Sequence, residues 1–131
     1  MYKIEKRPSG YILTFSGVIN PEEMERWVHE SEKALLTESS TSFGVIINMK
    51  DLQPLSMETN KLLISGQKLY KERGMKRSCV ILGNSAQCTK LKNTAIQSGI
   101  YTSERYIDAS SVKNPIEKAV NWVKDAIDPD L

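Results

Sequence analysis

The chain reads as an α/β domain: one mixed, mostly parallel sheet with helices between its strands. Three observations carry that reading. "FGVIINM" (Phe43–Met49) and "RSCVILG" (Arg77–Gly83) contain continuous apolar stretches of strand length, as expected of strands covered on both faces. "NPEEMERW" and "NPIEKAVNW" each set an Asn-Pro pair ahead of a helical apolar stripe. "YKIEKR" and "YILTFSG" alternate in polarity on either side of a Pro-Ser-Gly turn, the pattern of an antiparallel hairpin.

Taken in order, the hairpin puts Tyr11, Leu13 and Phe15 on one face of its second strand. The first helix opens with Asn20 as cap and Pro21 at its first position, and Glu22 and Glu23 suit the positive end of its dipole. Met24, Trp27, Val28, Ser31 and Leu35 share one face of it. The strand "FGVIINM" follows a polar loop, "TESSTS". The second helix runs to Gly74, a left-handed stop, with Leu62, Leu63, Gly66, Leu69 and Tyr70 in its stripe. Gly66 within that stripe predicts a close approach to the sheet. After the strand "RSCVILG", "SAQCTKLKNTAIQSG" is a weaker helix, and "RYIDA" is a short strand. The last helix has Asn114 as cap, Pro115 opening it and Glu117 at the capping-box position. Ile116, Ala119, Val120, Val123 and Ile127 are its expected buried stripe. The order is β-β-α-β-α-β-α-β-α, and repeated β-α units favour parallel pairing.

A chain of 131 residues suits a single domain spanning 1–131, with 127–131 a frayed tail. Its 40% hydrophobic and 26% charged residues are ordinary globular values, which sets disorder aside. A net charge of +2 gives no reason to expect nucleic acid or an anionic membrane surface. The basic run Lys68–Arg77 straddles a helix end, where cations are favoured in any case. Cys79 and Cys88 fall in a strand and a helix and read as free thiols. No apolar segment is long enough for membrane insertion, and the first ten residues lack a signal-peptide core, so the cytoplasm is the expected location.

The order and lengths of these elements resemble the STAS domain (sulfate transporter and anti-sigma factor antagonist) and its SpoIIAA-like relatives. The resemblance covers nearly the whole chain. "GYILTFSGVINPEEMERW" is similar to the family's strand, glycine turn and first helix, and "FGVIINMKDL" to its central strand ending near an acidic residue. "RSCVILGN" is similar to the next strand. "RYIDASSVKNPIEKAVNWV" resembles the short strand and final helix, with Ala119 and Trp122 in that helix. The resemblance implies a non-catalytic regulatory module that binds a protein partner such as an anti-sigma or kinase-like regulator, without a cofactor. It leaves a homodimer open. In the antagonist branch a segment of Asp-Ser-Ser-Gly-Leu type opens the helix after the central strand, and a partner kinase phosphorylates its second serine. Here that segment falls on Ser56, Met57, Glu58, Thr59 and Asn60, so Glu58 stands at the acceptor position. Ser56 also reads as a plain helix cap, and Glu58 as a first-turn glutamate suited to the dipole.

The residues offer no reaction. His29 is the only histidine and has neighbouring glutamates rather than a nucleophile; two cysteines nine residues apart and one distant histidine do not match a zinc site. No glycine-rich dinucleotide or Walker loop is present. A phospho-acceptor receiver domain would need acids after its first parallel strand, where "FSGVIN" has none. The alternative to a protein-binding module is a small-ligand site, for an anion, nucleotide or lipid. It would lie at the carboxyl edge of the sheet with Lys50, Asp51, Ser56, Asn84 and Ser85.

Overall fold

The computed structural model describes residues 1–131. Strands β1 (Tyr2–Arg7), β2 (Gly10–Gly17), β3 (Phe43–Leu52), β4 (Met75–Leu82) and β5 (Glu104–Asp108) form one sheet in sequence order. β1 pairs antiparallel with β2, and every later pair is parallel. Four helices connect or flank them: α1 (Pro21–Leu36), α2 (Met57–Arg73), α3 (Ser85–Ser98) and α4 (Pro115–Asp125). A single 3₁₀ turn, Ile100–Thr102, precedes β5 and was not foreseen from the sequence. The α/β class and the element order are those the sequence predicts.

Each face of the sheet has its own core. Tyr11, Leu13 and Phe15 of β2, Val45 and Ile47 of β3, and Val80 and Leu82 of β4 point to one face. There they meet Met24, Trp27 and Leu35 of α1 and Leu63 and Tyr70 of α2, with Cys88 and Leu91 of α3 at the margin. The alternate residues Ile12, Ile46, Cys79, Ile81 and Ile107 face α4, which covers them with Ala119, Trp122 and Val123. The period-2 alternation of each strand thus assigns its side chains to two separate cores.

Several local expectations are refined or corrected. Gly66 does approach a neighbour closely, but the neighbour is a helix and not the sheet: a Cβ there would lie 2.1 Å from Trp27 Cζ3. Ser31, the polar member of the α1 stripe, is buried because its Oγ accepts a hydrogen bond from Tyr70 Oη at 2.7 Å. Asn114 does not cap α4 with its side chain; it sits in the left-handed region (φ 55°) and offers its carbonyl to Lys118 N. Short polar side chains tolerate that region, and the turn into Pro115 needs it. Trp122 belongs to the buried face of α4, whereas Ile116 and Ile127 are exposed. The helix stops at Asp125, so Ile127 lies beyond its last turn.

The last five residues, read from sequence as frayed, carry specific contacts. Asp128 accepts from Arg105 Nε at 3.0 Å and from Nη2 at 3.2 Å. The Arg105 guanidinium lies 3.8 Å from the Tyr101 ring centre and 4.2 Å from that of Trp122. Asp130 pairs with Lys92 at 3.1 Å and accepts from Tyr101 Oη. Few apolar atoms hold this segment; the pattern is electrostatic and therefore invisible to hydrophobic periodicity.

Candidate functional site

The carboxyl edge of the sheet is built by the β2–α1, β3–α2 and β4–α3 connections. β3 runs on to Leu52, so Lys50 and Asp51 are strand residues and not loop residues; Asp51 lies opposite Ser16 of β2 beyond a register shift. Both side chains are exposed. Gln53 N then donates to Gly17 O at 3.0 Å, which ties the β3–α2 loop to the β2–α1 loop.

At the start of α2, Ser56 is extended (φ −65°, ψ 163°) and its Oγ accepts from Thr59 N at 3.1 Å. Ser56 O accepts from Asn60 N at 2.9 Å, closing the first helical turn. Ser56 Oγ is also 2.8 Å from Thr59 Oγ1. Thr59 is buried, 1% exposed, and so does not belong to a presented surface as the sequence implied. Its hydroxyl finds its partner in Ser56. Met57, Glu58 and Asn60 are exposed, Met57 at 80%. Val18, in the neighbouring loop, is also 80% exposed. The five residues therefore divide into an exposed cap, Ser56, bonded to a buried Thr59, and an outward trio whose Met57 is exposed, as is Val18 in the neighbouring loop.

Asn84 and Ser85 start α3 on the same edge. Asn84 Oδ1 accepts from Gln87 N at 2.9 Å. Gly83 brings this connection against β3, since a Cβ there would lie 2.4 Å from Lys50 O. Lys50 and Asn84 thus lie at one edge, and Asn84's side-chain oxygen is already engaged. Sequence reading missed Asp108, whose Oδ1 accepts from Ser110 N at 2.9 Å and from Ser110 Oγ at 2.5 Å. Those bonds hold its carboxyl below the ordinary range, led by the Ser110 hydroxyl. The Asp-x-Ser spacing of "DASS" was the available signal, an Asx turn after a strand. Asp108, Ser85, Cys88, Lys92 and Lys118 share a small polar pocket of about 230 Å³ beneath Asp130.

The remaining chemistry-bearing side chains stand apart. His29 is exposed, with Nε2 3.9 Å from Glu25 one turn earlier. Both cysteines are free. Burial pushes the Cys79 thiol up, and Cys88 is raised to about 11, so neither is a ready thiolate. No three His, Cys, Asp or Glu side chains converge on a point that could hold a metal ion. Arg73 and Arg77 of the basic run are tied down: Arg73 donates to Leu35 O and Glu38 O, and Arg77 to Val123 O and Lys124 O. No helix is long and apolar enough to cross a membrane.

No family model and no curated protein sequence matches this chain. Solved structures do match it in three dimensions, two of them as follows. One is an uncharacterised protein of the DUF3478 family with a SpoIIAA-like fold from Shewanella loihica PV-4. It has a TM-score of 0.63 and 16% identity, over 94% of this chain and 92% of that one. The other is the anti-sigma factor antagonist SpoIIAA in its unphosphorylated form, with a TM-score of 0.59 and 13% identity, over 94% of this chain and 96% of that one. With one antiparallel pair opening an otherwise parallel five-stranded sheet, and helices on both faces, the chain has a SpoIIAA-like fold of the STAS type.

Proposed function

We propose that the chain is a non-catalytic regulatory module that docks a protein partner through the first turn of α2, in the manner of anti-sigma factor antagonists. The observation that carries this reading is the outward trio Met57, Glu58 and Asn60, set beside exposed Val18 at the carboxyl edge. Exposed apolar side chains together with a carboxylate on the same edge form a small anchor set for a partner that contributes a basic group. Glu58 stands where the resemblance puts a phospho-acceptor. It supplies a constant negative charge at the positive end of α2 where phosphorylation would supply a switchable one. Ser56 Oγ caps the helix and Thr59 is buried, which favours a docking site without a phosphate switch.

The test begins with partners captured in the native cell, identified by mass spectrometry, and rebuilt from purified components. Glu58→Lys and Met57→Asp are expected to weaken the purified complex at least tenfold with thermal stability unchanged. Equal affinity for all three proteins sinks this surface. Native protein is expected to carry no phosphate on Ser56 or Thr59, and stoichiometric modification of either overturns the fixed-charge reading.

The second reading, a small-anion site at the same edge, is favoured by Lys118, which lines the pocket beside Ser85 without an ion pair, whereas Lys92 there is paired with Asp130. A thermal-shift panel of phosphate and nucleotides tests it: a saturable rise lost in Lys118→Glu supports it, and a flat response removes it.

A further inference from the structure

α2 and α3 lie on the same face of the sheet but hardly touch each other. The gap between them is an open trough made of two clefts, of about 300 Å³ and about 770 Å³, which share Ile64, Gln67 and Glu104 in their walls. Either volume is of the order of a small-molecule pocket, roughly 300–1,000 Å³. The α2 wall runs from Asn60 through Ile64 and Gln67 to Lys71, at steps of three and four residues. At 1.5 Å per residue that is about 17 Å of continuous wall. Val80 and Leu82 form the floor.

Three features define what would fill it. First, Ile64 and Ile100 line the mouth and are 45% and 42% exposed, so apolar surface is left uncovered on both sides. Second, the rim is cationic. Lys68 and Lys71 on α2 and Lys90 on α3 border the trough, and none of them makes an ion pair. Third, the one carboxylate in the lining is already engaged. Glu104 accepts from Ser78 Oγ at 2.9 Å and from Tyr106 Oη at 2.7 Å. The floor of the trough is the side-chain face of β4, which is paired on both sides with β3 and β5, so an extended peptide lying on it would find no strand edge to pair with there. None of Lys50, Asp51, Asn84 and Ser85 lines the trough, which meets the docking surface of α2 only at its upper end, through Asn60.

We propose that this trough is a binding site for a single-chain fatty acid. The carboxylate sits between Lys68 and Lys71, which are neighbours three residues apart on α2. The alkyl chain lies past Ile64 over Val80 and Leu82 toward Leu91. Burial of the chain supplies the affinity, and the unpaired ammonium groups select an acid over a neutral lipid.

The test uses laurate, below its micellar concentration, and the full chain. Titration calorimetry is expected to show one saturable site, with laurate bound at least tenfold more tightly than dodecanol. Ile64→Asp is expected to abolish binding. The double variant Lys68→Glu, Lys71→Glu is expected to weaken laurate at least tenfold while leaving dodecanol unchanged. All three positions are exposed, and circular dichroism verifies that the variants are folded. Glu58→Lys is expected to bind laurate normally, which separates this site from the protein-docking surface. Absence of saturable binding, equal binding by Ile64→Asp, or equal affinity for laurate and dodecanol each overturns the proposal. So does a dimer that Ile64→Asp dissolves, since a second copy would then be the occupant.

Discussion

At the scale of single residues, the packing of α1 on α2 depends on an absent side chain. Gly66 leaves room for the Trp27 ring, which is 0% exposed and lies 5.0 Å, centre to centre, from Phe15 and 6.2 Å from Tyr70. Alanine is ordinarily the better helix former by about 1 kcal/mol. Here its methyl would overlap aromatic carbon of a buried ring, and overpacking costs about 1–3 kcal/mol. Gly66→Ala is therefore expected to lower the unfolding free energy by up to about 2 kcal/mol in urea denaturation, and a gain in stability would show that the helices can move apart freely. Ser31 and Tyr70 make a second point at this scale. Their buried hydrogen bond joins α1 to α2, and burial pushes the Tyr70 phenol up to about 12, so the tyrosine remains a donor throughout the neutral range.

At the scale of elements, the helices differ in how their ends are satisfied. α1, α2 and α3 begin with Asn20, Ser56 and Asn84, each accepting a hydrogen bond from the amide three residues on. Ser56→Ala is expected to cost about 0.5–2 kcal/mol, and Ser56→Asp to remain within a few tenths of the parent, because the carboxylate caps equally well. Thermal unfolding of the pair checks this, and equal losses would mean that the hydroxyl serves Thr59 Oγ1 rather than the helix. The other ends of α1 and α4 are completed from a distance. Arg73 of α2 reaches the Leu35 carbonyl in the last turn of α1, and Arg77 of β4 the last carbonyls of α4. A cation there meets both the unpaired carbonyls and the negative end of the dipole. Arg77→Met is expected to cost about 1–2 kcal/mol, with a smaller loss in Arg77→Lys, whose single ammonium reaches fewer carbonyls.

At the scale of the whole molecule, charged contacts join parts that the hydrophobic cores do not reach. Glu38, 6% exposed beyond the end of α1, accepts from Lys6 of β1 at 2.6 Å. That bond leads the set that holds its carboxyl below the ordinary value of 4.5, and Arg105 does the same for Asp128 below 3.8. A carboxylate whose value is depressed in the folded state stabilises the fold above its unfolded value, and this contribution disappears as pH falls through the lowered folded value. Stability is thus expected to be level through neutral pH and to fall below about pH 4.5, as these groups take up protons. Glu38→Gln should be less stable at neutral pH and show a shallower acid limb in urea melts followed across pH. An acid limb unchanged from the parent would place the sensitivity in other groups.

The alternation of "YKIEKR" and "YILTFSG", the apolar runs at Phe43–Met49 and Arg77–Gly83, and the Asn-Pro helix starts were enough for the element order and the α/β class. These are local signals: propensity, capping and period act within a few residues and survive without knowledge of the fold. The hairpin, the stripe on α1 and the Ser56 cap were legible for that reason. Decisions that rest on residues distant in the chain were not. Gly66 was read as touching the sheet because its partner, Trp27, is 39 positions away on another helix. Thr59 looked presentable until tertiary packing turned it inward. The clasp of Arg105 by Asp128 carries no periodicity at all. The trough between α2 and α3 is a space, and a sequence encodes side chains directly but encodes the distance between two helices only through everything that packs beneath them.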